Sequence, residues 1–274
     1  MEELVVNENG VESDGTSARL VESPVFVISA VRSGSTLLRC ILNAHSELYA
    51  GHELHLGDVQ VGLGTEPATA AMDALGLSTT ELEYLLWDRL LDRQLKASGK
   101  KVLVEKTPGN AVVWERIAEC WPQARYVFLF RHPLHVLDSL IEVIRESATE
   151  EQLALGDAKE VAARLKAAAL RMLVPMLESV AEARDNLPGI TVRYEELTTN
   201  PEGVTQRICE FLNVPWESGM LEYGTQDQGP FQIFLGDWRD KIRSGVIQPH
   251  GELPGADDIP EELLAHCRAF GYLD

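Results

Sequence analysis

The chain of 274 residues lacks any apolar run near the length of a membrane span, any excess of basic charge and any close pair of cysteines. Each shortage removes a class of function. A bilayer-crossing helix needs about 20 consecutive apolar residues, so no membrane partner is expected. No early stretch joins a basic region to an apolar core, and a cytoplasmic protein is therefore expected. Lys and Arg number 24 against 43 Asp and Glu, a net charge of −19, which argues against nucleic acid or an anionic membrane surface as partner. Much of that excess is terminal. Residues 1–23 hold six acids and one arginine, and residues 252–274 repeat the count. Both ends read as solvated tails, with 1–22 as an acidic N-terminal tail ahead of one domain over 23–274. The four cysteines, Cys40, Cys120, Cys209 and Cys267, are widely spaced in apolar or helix-like contexts, predicting buried reduced thiols and neither a disulfide nor zinc.

What is present is an alternation of short apolar strands with amphipathic helices. The pattern predicts strands over 25–29, 101–105, 125–130 and 190–194. Helices are expected over 35–44, 79–97, 110–120, 133–147, 158–185, 201–212 and 260–269, and a loop over 46–64. Leu82, Leu85, Leu86, Leu90 and Leu91 should form the buried face of the second helix. Leu165, Met172, Met176 and Val180 should be core in the long one, with Pro175 a kink site. Strands alternating with helices predict an α/β fold, a single domain with a mostly parallel central sheet flanked by helices.

Two strand-to-helix turns carry the chemistry. After the strand ending at Ser29 comes Arg32-Ser33-Gly34-Ser35-Thr36-Leu37, in which the N–H groups of Ser33 to Thr36 fall at a helix N-terminus. Donors left unpaired there, the positive end of the helix dipole and a glycine permitting close approach make an anion site, to which Arg32 adds charge. It is not a Walker A loop, because the two-glycine frame and the Lys-Ser/Thr pair are absent. About one hundred residues on, Phe128-Leu-Phe-Arg131-His-Pro133 ends a second strand, Pro133 suits the first helical position, and Ser139 follows two turns later. In an open α/β sheet both turns belong at the carboxyl edge, where ligands bind.

These segments resemble the sulfotransferases that use 3′-phosphoadenosine 5′-phosphosulfate (PAPS), in the branch that includes tyrosylprotein sulfotransferases and bacterial polyketide-type enzymes. The first turn looks like their 5′-phosphosulfate loop, which makes Arg32, Ser33, Gly34, Ser35, Thr36 and Leu37 cofactor-binding. Phe-x-x-Arg-His-Pro-x-x-Val-x-x-Ser looks like their 3′-phosphate motif, with Arg131 and Ser139 as its ligands. The block Arg32 to His55 aligns Glu53 with the family's catalytic base and sets His55 beside it. Glu105-Lys106-Thr107-Pro108 resembles the segment whose lysine reaches the sulfuryl group, and Tyr194-Glu195-Glu196-Leu197 the strand end near the adenine. One departure is that Gln232-Ile233-Phe234 stands where many members have Arg-Lys-Gly, leaving Arg239 and Lys241 as candidate cations for that wall. The resemblance implies PAPS as co-substrate, no metal, and a hydroxyl acceptor on a small or carrier-bound molecule. Either Glu53 or His55 can serve as base on the sequence alone, since imidazole titrates near neutrality without tuning. Two other readings are a P-loop-like nucleotide or small-molecule kinase, which should show a lysine-bearing glycine loop and a carboxylate for Mg²⁺, and a non-catalytic adenylate-binding module, which would need neither Glu53 nor Lys106.

Overall fold

The computed structural model describes residues 19–226, 228 and 240–274, with 240 and 241 as backbone only. In chain order its elements are β1 Val25–Ser29, α1 Ser35–Asn43, β2 Leu48–Tyr49, α2 Glu66–Ala74, α3 Thr79–Ser98, β3 Val102–Glu105, α4 Trp114–Cys120, β4 Arg125–Phe130, α5 Pro133–Ser147 and α6 Glu150–Ala154. Then follow α7 Ala158–Asn186, β5 Gly189–Arg193, α8 Tyr194–Thr199, α9 Pro201–Leu212, α10 Asp240–Arg243 and α11 Glu261–Ala269. Among the described residues five strands form one sheet in the order β2-β3-β1-β4-β5, with every pairing parallel. Each strand must therefore be followed by a crossover, which is where the helices go.

Alternation along the central strands sorts side chains into two cores. Phe26 and Ile28 of β1 pack with Tyr126, Phe128 and Phe130 of β4 beneath α3, α5, α7 and α11. Val25, Val27, Val127 and Leu129 face the other way, against α1 and α9. With both faces covered, a run such as Val25–Ser29 has no polar side to show. The chain leaves β1 toward the β2 edge, then crosses from β3 to β4 on the opposite side. The resulting switch point opens a crevice at the carboxyl end of β1.

Several sequence expectations need correction. On α3 the buried residues are Tyr84, Trp87, Asp88, Leu91 and Asp92, whereas Leu85 and Leu86 are 37% and 39% exposed. The aromatic face wins because Trp87 Nε1 donates to the Val59 carbonyl and Asp88 accepts from the N–H groups of Leu20 and Val21. Those contacts show that residues 19–22 are not a solvated tail. Arg19 bonds the Cys120 carbonyl at 2.9 Å, and Val21 is buried. Nor is the acidic C-terminal stretch a tail, since Leu263, Cys267 and Phe270 are core and Tyr272 reaches Glu195. On α7, Leu165 and Val180 are buried and Met176 is partly so, but Met172 is 55% exposed. α7 continues through Pro175 as one helix. The loop expected over 46–64 contains the short strand β2 and a 3₁₀ turn, Leu56–Asp58. All four cysteines are buried free thiols, as their contexts predicted.

Candidate active site

The turn after β1 carries two residues in the left-handed region, Arg32 at φ 62° and Gly34 at φ 87°. Gly34 precedes α1, and the helix's own hydrogen-bond ladder starts with Leu38 N–H to the Gly34 carbonyl at 3.2 Å. The amides of Ser35, Thr36 and Leu37 therefore lie at the positive end of the helix, outside that ladder. Ser33, Ser35 and Thr36 are buried. Leu37 packs its side chain into the core, so only its backbone can face a ligand. A Cβ on Gly34 would collide with the Tyr194 ring. Gly34→Ala combines that overlap with a left-handed conformation costing an L-residue about 1–2 kcal/mol. It should lower the melting temperature and abolish, in calorimetry, the binding of 3′-phosphoadenosine 5′-phosphate (PAP) that the resemblance implies.

The second turn is joined to the first. Arg131 Nη1 donates to the Arg32 carbonyl at 2.9 Å, and its guanidinium lies 4.8 Å from the centroid of the Tyr194 ring. Tyr194 is thus wedged between Gly34 and Arg131 at the end of β5. Ser139, which the resemblance pairs with Arg131 as a 3′-phosphate ligand, accepts from Arg32 Nε at 3.2 Å, so each motif's arginine bonds to the other motif across the crevice. Arg131 Nε is buried with no partner among the described residues. An orphaned guanidinium donor beside a left-handed glycine turn is what an anionic oxygen would satisfy. The turn itself is held by Glu195, which accepts from His132 N–H at 2.9 Å and from the Tyr272 hydroxyl at 2.6 Å. Burial lowers the His132 pKa, with His135 nearby adding to the effect. The neutral ring accepts from Leu134 N–H through Nδ1 and caps α5.

On the other side of β1, Lys106 follows β3 and is 1% exposed. Its Nζ donates to Glu53 Oε1 and stands 3.5 Å from Thr36 Oγ1, so the lysine bridges the phosphate turn and the candidate base. Burial lowers the Lys106 pKa, and the Glu53 carboxylate opposes that fall. His55 Nε2 lies 3.6 Å from the second Glu53 oxygen. The Glu53 side chain is 11% exposed and that of His55 39%. Lys106 can therefore hold the carboxylate by one oxygen while the other faces the more exposed His55 ring. His45 is fully buried between the Pro215 carbonyl and Glu47 N–H, a structural role. Arg239 and the side chain of Lys241 lie outside the described residues.

Sequence reasoning passed over Arg39 and Glu105. Arg39 is 3% exposed in α1 and donates to the carbonyls of Ala50 and Gln228, both 3.1–3.2 Å away. Its signal was a charge in the middle of the apolar run Leu37–Leu42, which a helix buried all round admits only with partners. Glu105 is 1% exposed at the end of β3, and its signal was likewise an acid closing an apolar strand.

A left-handed glycine turn, two crossed arginines and a buried lysine–carboxylate pair thus meet at the carboxyl edge of an α/β sheet. A family model described as the sulfotransferase family matches residues 24–218, and the chain belongs to that family. It is 24% identical to protein-tyrosine sulfotransferase A of Caenorhabditis elegans over 73% of this chain and 52% of that protein. It is 25% identical to nodulation protein NoeE of Sinorhizobium fredii over 91% of this chain and 68% of that one. The chain thus spans about half the length of the worm relative. Its fold is that of the sulfotransferase domain from the curacin biosynthetic pathway, with a TM-score of 0.63 at 22% identity over 92% of this chain and 98% of that domain. The sulfotransferase domain of the Synechococcus PCC 7002 olefin synthase gives 0.64 at 21% identity, covering 92% and 97%.

Proposed function

We propose that the protein transfers the sulfuryl group of PAPS to a hydroxyl of a small or carrier-bound acceptor. The observation that carries this reading is the Glu53–Lys106 pair set against Thr36 of the anion-binding turn. A base for the attacking hydroxyl and a cation for the departing group meet there at one helix N-terminus. In the transfer, oxygen attacks sulfur as the sulfur–oxygen bond to the 5′-phosphate breaks, so negative charge grows on the leaving bisphosphate. Arg32, Lys106 and the amides at the start of α1 stabilise that charge, and Glu53 takes the hydroxyl proton. Arg131, with its orphaned Nε, and Ser139 support the 3′-phosphate role, and Tyr194 walls the nucleotide end. Among the described residues no helix is long and apolar enough to cross a membrane. A cytoplasmic setting suits four buried free thiols.

Calorimetry with PAP, adenosine 5′-phosphosulfate and ATP tests the reading. PAP should bind at least tenfold more tightly than the other two, and transfer from PAPS should survive EDTA, because cations and backbone donors already meet the leaving phosphate. Tighter binding of ATP, with turnover that EDTA abolishes and Mg²⁺ restores, would place the protein with the kinases. Sulfation of amines alone in an acceptor screen would overturn the hydroxyl assignment.

A further inference from the structure

Glu105 and Lys106 are neighbours in sequence but leave β3 on opposite sides. Lys106 turns toward Thr36, and Glu105 toward the segment Thr107–Asn110 and the loop that carries Glu53 and His55. The Glu105 carboxyl is buried, and its contacts form a directed chain. Thr107 Oγ1 donates to Glu105 Oε1 at 2.7 Å, and Asn110 Nδ2 donates to Oε2. Because the Thr107 hydrogen is committed to Glu105, its oxygen is left to accept, and it takes Leu54 N–H at 3.1 Å and His55 N–H at 3.2 Å. Glu105 Oε1 also accepts from Leu54 N–H at 3.2 Å. Two consecutive amides are thereby captured immediately after Glu53, at the point where His55 turns into the left-handed region with φ 50°. The far wall of this loop is tied too, since Gly57 lies against Val113, just beyond Asn110.

We propose that Glu105, acting through Thr107, is the positioning device that aims the Glu53 carboxylate and the His55 ring at the acceptor. Glu105 touches no reacting atom. It sets which way the Thr107 hydroxyl points, and that fixes the backbone on which the base is carried. Without the relay, Leu54 and His55 N–H lose these acceptors, and Glu53 is held only by its side-chain contacts with Lys106 and His55. The ion pair would then persist in a loop of less defined direction. Burial raises the Glu105 pKa against the opposing hydrogen bonds from Thr107 and Asn110. Such a group is costly to keep where a hydrocarbon would pack, which is consistent with a role beyond filling space.

This proposal rests on the sulfuryl-transfer reading, and the test separates the two. Thr107→Val keeps the shape and removes the hydroxyl. PAP release from PAPS, measured with the best acceptor of a phenol and alcohol panel, should show kcat lower by about 10–100-fold, the scale of a misplaced catalytic group. The dissociation constant for PAP should change less than threefold, and deuterium uptake of the 52–58 segment should rise. Thr107→Ser should recover most of the loss. Should the valine variant fail to fold, Glu105→Leu and Glu105→Gln supply the comparison, because only glutamine keeps an acceptor facing Thr107, so its kcat should be about tenfold or more above that of leucine. Wild-type kcat and unchanged exchange in Thr107→Val, or equal kcat in the two Glu105 variants, would overturn the relay. A wild-type protein that neither binds PAP nor releases it from PAPS would overturn the transfer reading instead, while exchange at 52–58 would still report on the relay.

Discussion

Replacing Glu53 by Gln should lower kcat by about 10²–10⁴-fold with PAP affinity nearly unchanged, the signature of a lost proton acceptor. The amide keeps the size and the oxygen facing Lys106 but cannot take a proton from the acceptor hydroxyl. The structure adds a second consequence through Lys106. Burial holds its pKa down and the Glu53 charge pulls it back up. With that charge gone the Lys106 pKa falls further, so the alkaline limb of the residual activity should move to lower pH than in the wild type. His55→Gln should cost less and act partly on the KM of the acceptor, because its ring is at the mouth, 3.6 Å from Glu53. A pH–rate profile and steady-state constants for the two variants decide the matter. Near-normal turnover in Glu53→Gln, with a large loss in His55→Gln, would transfer the role of base to the histidine.

Loss of nucleotide discrimination is the expected result for Arg131→Ala. A buried phosphate deprived of its guanidinium costs about 2–5 kcal/mol, which corresponds to roughly 30- to 4,000-fold in affinity for PAP. The structure raises the expectation toward the upper part of that range, since the same side chain donates to the Arg32 carbonyl and covers the Tyr194 ring. Truncation therefore loosens the Arg32 turn, proposed for the 5′ end, as well. Arg131→Lys should not rescue, because one ammonium cannot reproduce a planar fork stacked on tyrosine. Calorimetry of PAP and of adenosine 5′-phosphosulfate on wild type and variant reads the effect. The preference for the 3′-phosphorylated ligand should collapse, and an unchanged ratio would remove Arg131 from the 3′-phosphate site.

Local sequence determined the parts of this protein whose physical cause is local. Val25–Ser29 and Arg125–Phe130 are short β-branched or aromatic runs with no polar face, and both fall where the alternation placed them. Pro133 and Gly34, one preset for a helix start and one free to take a left-handed φ, marked the two turns before any fold was known. The helices over Pro133–Ser147 and Pro201–Leu212 coincide with their expected bounds for the same reason. Elements whose stability comes from neighbours were not legible. β2 has two residues and exists because β3 pairs with it, and α8 grows directly from the end of β5. The buried side of α3 was decided by what docks there, the chain before β1, and not by the number of leucines.

The same division holds at the site. The sequence named Arg32, Glu53, Lys106, Arg131 and Ser139 from turn chemistry and resemblance, because residue type and spacing along one strand-turn-helix unit are local properties. Their pairing was decided only by tertiary structure. Ser139 meets Arg32 and not Arg131, Lys106 meets Glu53 across 53 residues, and Tyr194 closes the gap between Gly34 and Arg131. These contacts cross from strand to strand at the carboxyl edge, and a one-dimensional pattern carries no information on which strand lies beside β1. The parallel order β2-β3-β1-β4-β5 supplies it, by bringing the ends of β3, β1, β4 and β5 to one crevice.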